Sequence, residues 1–229
     1  MLVKRSLSIF LMALLFFSGA ELIAFSSDTE TVAEEFSDTP LEVVTKEPRK
    51  RSKMVKEPVE MPFYVFNNAI YPPVKNFAPS GYMGDIPDLK LTGSYAVVMQ
   101  EGYPALKITY MTTGPSGWAG IMWQNPPNNW GELDGGYNLT RANYLTFWAK
   151  GEQGGETVEF KIGGTLSNYP DSASITTGDL ILSDMWTEYT IDLRDTELHY
   201  ISAGFGLVIK QENNPEGCIF YIDDIKYDE

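Results

Sequence analysis

The most suggestive chemistry in the chain is a set of tryptophans interleaved with side-chain amides. Trp118, Trp123 and Trp130 fall within 13 positions, among Gln124, Asn125, Asn128 and Asn129. An indole offers a flat apolar face on which a sugar ring can stack, and a carboxamide supplies both a donor and an acceptor for hydroxyls. Trp118, Trp123, Gln124, Asn129 and Trp130 are therefore candidate ligand-binding residues. Trp148 and Lys150 form a second candidate pair. On an extended strand they share one face while Leu145 and Phe147 share the other. With the apolar pair turned inward, the indole lies on an outer sheet surface.

Catalytic sets do not assemble in the same way. Hydrolysis of a glycosidic bond needs two carboxylates flanking it. Glu156 and Glu159 are three apart on an expected strand and point to opposite faces, as do the adjacent Asp223 and Asp224 unless a bulge intervenes. The single histidine, His199, has no nucleophile-elbow motif to serve. Gly114, Gly117 and Gly120 are not followed by the Lys-Ser/Thr of a phosphate loop. The expectation is binding without catalysis.

These residues need a scaffold, and the sequence describes one from Met61 onward. Short β-type runs recur between Gly, Pro, Asn and Asp clusters, with no sustained helical stripe. The pattern predicts strands over 63–66, 96–100, 105–111, 118–123, 144–150, 157–162, 186–193, 205–210 and 219–227. Alternation gives each a buried face: Leu106, Ile108 and Tyr110; Leu145, Phe147 and Ala149; Val158, Phe160 and Ile162; Tyr189, Ile191 and Leu193. Thr157, Glu159 and Lys161 form the polar side of one such strand. About nine strands with one buried face each imply two antiparallel sheets over one core, an all-β sandwich of jelly-roll type.

Residues 1–20 read as a secretory signal peptide. Lys4 and Arg5 precede the apolar run 7–17, and Ser18-Gly19-Ala20 supplies small residues before a cleavage point. Residues 21–60 hold no Trp or Tyr, run from acidic to basic, and contain Pro40, Pro48 and Pro58; they read as a disordered linker. The domain 61–229 carries all five Trp and all 13 Tyr. The whole chain of 229 residues has a net charge of −14, which argues against nucleic acid as a partner. One cysteine, Cys218, excludes an intrachain disulfide framework. No stretch after residue 20 approaches membrane-spanning length. A secreted or periplasmic protein is expected.

Three segments carry a resemblance to a known group. Leu145-Thr146-Phe147-Trp148-Ala149-Lys150-Gly151, Trp186 to Leu193 (WTEYTIDL) and Phe220 to Ile225 (FYIDDI) resemble, in order, three strands of the galactose-binding-like β-sandwiches. Many of those are carbohydrate-binding modules of secreted glycosidases, so the resemblance implies non-catalytic binding of a polysaccharide or glycan. It also implies a structural calcium joining the first and last strands. Asp224 matches the last-strand acid, Asn67 stands where the first strand often has an acid, and Asp85 is a substitute ligand. The rival readings are a structural or protein-interaction domain with an envelope protein partner, and, third, a polysaccharide-active enzyme.

Overall fold

The computed structural model describes residues 56–67, 76–98 and 104–229, all within one compact unit, Ser52–Glu229. The expected signal peptide and nearly all of the expected linker lie outside the described residues.

Among the described residues there are eleven strands: β1 (Phe63–Phe66), β2 (Ala78–Gly84), β3 (Leu89–Val98), β4 (Pro104–Tyr110), β5 (Trp118–Gln124), β6 (Tyr144–Gly151), β7 (Thr157–Gly163), β8 (Ser174–Ile181), β9 (Thr187–Asp192), β10 (Ala203–Lys210) and β11 (Cys218–Asp228). A three-residue 3-10 turn, Ile86–Asp88, joins β2 to β3. The strands form two sheets. The first has the order β3-β4-β11-β6-β9, with β1 pairing the far half of β11; the second has the order β2-β5-β10-β7-β8. Every pairing between strands is antiparallel. The architecture is the two-sheet jelly-roll sandwich.

Alternation builds the core as expected. Phe147 of β6 meets Phe160 of β7 at 4.5 Å between ring centroids and Phe205 of β10 at 5.4 Å, so the first sheet locks onto the second through aromatic rings. Ala119, Ile121 and Trp123 of β5 and Phe220 and Ile222 of β11 complete the layer. Because these side chains point inward, Trp118, Gly120 and Met122 of β5, Val208 and Lys210 of β10, and Glu159 and Lys161 of β7 point outward from the second sheet.

Three details differ from the sequence reading. Strands β2 and β8 were not expected, and β3 runs from Leu89 to Val98 rather than over 96–100. All three are edge strands, whose exposed faces need no run of apolar residues; β2 (APSGYMG) even carries a proline. The folded body also begins before Met61. Pro58 bridges Asn138, the Asn138 side chain donates to the Lys56 carbonyl at 2.6 Å, and Val59 packs on the core. Residues 56–60 belong to the domain and not to the linker.

Candidate functional site

A cleft of about 860 Å³ opens on the outer face of the second sheet. Its floor follows the register. Met83, Gly120, Val208 and Glu159 lie side by side across β2, β5, β10 and β7, and Lys161 sits one step along β7. The apolar atoms come from Met83, Met122 and Val208. A tryptophan stands at each end: Trp118 opens β5, and Trp130 lies in the loop that follows it. A seven-residue strand separates those loops by about 20 Å.

Each tryptophan is held by buried polar side chains that capture loop backbone. Trp118 follows a loop fastened by Asp85 and Asp88. Asp85 accepts hydrogen bonds from Ser116 N at 3.1 Å and Gly117 N at 2.9 Å; Asp88 accepts from Thr113 N at 2.9 Å, Gly114 N at 2.8 Å and the Thr113 hydroxyl. That hydroxyl bond, and then the two backbone bonds, hold the Asp88 carboxyl below its ordinary range against the opposing effect of burial. Gly84, at φ +67°, packs its bare Cα on the Trp118 ring, where a Cβ would come within 2.9 Å of the indole. At the other end Asn129 is buried. Its Oδ1 accepts from Gly131 N at 3.2 Å and Leu133 N at 3.0 Å, while its Nδ2 donates to the Leu133 carbonyl at 2.8 Å. Trp130 itself is 40% exposed.

The two lysines of the cleft floor are paired. Lys161 Nζ lies 2.7 Å from Glu159 Oε1; Lys210 Nζ lies 3.5 Å from Glu159 Oε2 and 3.0 Å from Asp179 Oδ1. Thr176 Oγ1 donates to Glu159 at 2.6 Å, and Asn213 Nδ2 donates to Asp179 at 2.9 Å. The Lys161 and Thr176 bonds pull the Glu159 carboxyl below its ordinary range, Lys210 and Asn213 do the same for Asp179, and Asp179 raises Lys210. A general acid for glycoside hydrolysis needs the opposite shift, since it must hold a proton near neutrality. This pair of carboxylates is suited to accepting hydrogen bonds and unsuited to acid catalysis.

The sequence-predicted residues divide among three places. Trp118 and Trp130 line the cleft. Trp123 is fully buried in the core, 5.5 Å from the Phe205 ring, and has no face to offer a ligand. Gln124 and Asn129 are also buried, so neither side chain reaches out to a sugar; Asn129 shapes the loop that carries Trp130. Trp148 and Lys150 lie on the outer face of the first sheet, away from the cleft, with Trp148 between Glu188 and Asp223 in register. Sequence reasoning passed over Met83, Met122, Glu159, Lys161, Val208 and Lys210. The signal for two of them was the polar side of β7, read as solvated surface.

Of the three proposed calcium ligands, Asn67 and Asp224 meet and Asp85 lies elsewhere. Asp224 sits in a bulge of β11 at φ +47°, and its Oδ1 accepts from Asn67 Nδ2 at 2.5 Å while Oδ2 lies 3.1 Å from Lys226 Nζ. Lys226 gives the Asp224 carboxylate a cationic partner. Asp85 is at the start of the Trp118 loop, with its carboxylate spent on backbone amides. Among the described residues no group of three or more His, Cys, Asp or Glu side chains is arranged to hold a metal ion.

The family described as carbohydrate binding domain 30 matches residues 83–229, well over half of the chain. A crystal structure of a family 30 carbohydrate-binding module is 17% identical, with a TM-score of 0.53 over 73% of this chain and 98% of that one. The family 30 module of the cellulosomal cellulase Cel9D-Cel44B of Clostridium thermocellum is 16% identical, with a TM-score of 0.53 over 73% of this chain and 97% of that one. At such identities the likeness is one of fold. No curated protein matches the chain.

Proposed function

The chain belongs to the carbohydrate binding domain 30 family, and from that premise we propose that its non-catalytic carbohydrate binding takes place in the cleft of the second sheet, on a linear neutral polysaccharide. The observation that carries this is the pairing of a tryptophan at each end of an open groove with a floor whose charges are already matched. Stacking on Trp118 and Trp130 supplies apolar contact, and Glu159, Asp179, Lys161 and Lys210 supply acceptors and donors for hydroxyls. Glu159 and Asp179 leave neither ammonium unpaired, so an anionic chain gains little here, and the net charge of −12 over residues 61–229 opposes it further. The cellulase to which one structural relative belongs makes β-glucan the first ligand to test.

Intrinsic tryptophan fluorescence of the full chain, titrated with soluble β-glucan, xylan, mannan and galactan, tests the reading. The expected result is saturable change with β-glucan and no release of product. No change with any of the four, in a folded protein, would contradict the cleft as a glycan site.

Export belongs to the same proposal. A basic start, the apolar run 7–17 and Ser18-Gly19-Ala20 favour a cleaved signal peptide. Among the described residues no helix is long and apolar enough to cross a membrane. N-terminal sequencing of protein recovered outside the cytoplasm should begin close to Glu21, and an intact Met1 on exported protein would contradict cleavage.

A further inference from the structure

Trp130 is the one aromatic of the cleft that no strand carries, and its loop is fastened from both sides. From within, buried Asn129 ties Gly131 and Leu133. From outside, the next loop reaches across to it. The Glu132 carboxylate accepts from Ser167 Oγ at 2.5 Å and from Asn168 Nδ2 at 3.2 Å, and Tyr169 N donates to the Gly131 carbonyl at 2.8 Å. Gly131 sits at φ +87° with its Cα close against Ser167, which brings the two loops together where a side chain would hold them apart. Gly164 and Thr165, just before that second loop, line the cleft beside Trp130. Two exposed leucines, Leu133 at 61% and Leu166 at 86%, flank the clasped residues on either loop.

Resting on the cleft reading, we infer that the Trp130 end is a loop-built subsite separable from the Trp118 end, and that Asn129 and Glu132 are positioning residues which give the cleft its preference for long chains. The physical argument is leverage. Trp118 is set by a sheet register that does not shift, so a short oligosaccharide finds its platform there. Trp130 lies in the loop beyond the other end of β5, and only a ligand long enough to reach both indoles draws on it. The value of that second contact depends on how well its loop is held before binding, because an unfastened loop has to be ordered at the expense of affinity. Glu132 touches no ligand in this account; it acts through Trp130.

The experiment is a length series of β-glucan oligosaccharides, from disaccharide to octasaccharide, titrated against the full chain and five variants: Trp118→Ala, Trp130→Ala, Glu132→Ala, Glu132→Gln and the double variant Trp130→Ala/Glu132→Ala. Wild-type affinity should rise steeply with length. Trp130→Ala and Glu132→Ala should each flatten that rise several-fold at the long end and leave the short end unchanged. The double variant should bind like Trp130→Ala alone, since the clasp has no other route to the ligand. Glu132→Gln keeps one acceptor for Ser167 and loses the acceptor for Asn168, so it should fall between wild type and Glu132→Ala. Equal losses on short and long ligands, or additive losses in the double variant, would overturn the inference and leave the cleft reading standing. Indifference of every ligand to Trp130→Ala and to Trp118→Ala alike would overturn both.

Discussion

Four of the five indoles in this chain have the same chemistry and three different situations. Trp118 and Trp130 border the cleft, Trp123 fills the core and Trp148 lies on the opposite sheet. Strand parity separates the first from the third, because positions 118 and 123 are an odd number apart on β5 and point to opposite faces. Substitution should follow that split. Trp118→Ala should weaken β-glucan binding at least tenfold while the melting temperature stays close to wild type. Trp123→Ala should cost about 3–5 kcal/mol of stability through the cavity it leaves against Phe205. Titration and thermal melting of the two variants check both statements; a Trp123→Ala protein of wild-type stability would contradict its place in the core. The parity of Trp118 and Trp123 was legible in the sequence. The burial of Gln124 and Asn129 was not, because an amide in a loop reads the same whether it meets a ligand or the backbone of its own turn. Asn129 turns out to be spent on Gly131 and Leu133.

At the level of elements, the sequence showed the central strands and the edge strand β9 but missed β2, β8 and most of β3. Strands β6, β7, β10 and β11 carry uninterrupted inward apolar positions, whereas β2 and β8 bury too little to leave such a pattern. The polar side of β7 was visible, but a polar face means solvent on a flat sheet and a binding floor on one edged by long loops, and that distinction is tertiary. The floor has a consequence in acid. Glu159 and Asp179 are held below their ordinary range in the folded state, so the stability they contribute is fully present above that range and is lost as the pH falls through their lowered values. Melting temperature and β-glucan affinity should stay level from neutrality to about pH 5 and fall together below about pH 4. Replacing Lys161 and Lys210 with methionine should remove most of that acid dependence; an unchanged profile would contradict the assignment. The junction of β1 with β11 yields a second test. Asn67 and Lys226 already satisfy Asp224, so melting curves in a chelator and in millimolar calcium should coincide. A rise on adding calcium, lost in Asp224→Ala, would contradict that account and restore the metal site.

For the whole molecule, the sandwich class, its antiparallel sheets and its binding character were readable from alternation, composition and three strand motifs. The start of the domain was not, because Lys56, Pro58 and Val59 sit in a stretch whose charge and proline content suggest a linker. Their contacts with Asn138, Asp134 and the core are made to residues almost eighty positions away. A chain beginning at Met61 should therefore melt below one beginning at Lys56, by about 1–2 kcal/mol for a lost backbone hydrogen bond and a partly buried valine. Equal melting of the two would show that those five residues only rest on the surface. The central claim remains that one cleft, with a tryptophan at each end, does the binding. The most direct measurement is the β-glucan binding isotherm of the full chain beside two variants, the double variant Trp118→Ala/Trp130→Ala and the single variant Trp148→Ala. Loss of saturable binding in the double variant, with Trp148→Ala indistinguishable from wild type, is the predicted result. Retained binding in the double variant and loss in Trp148→Ala would move the site to the opposite sheet and contradict the account.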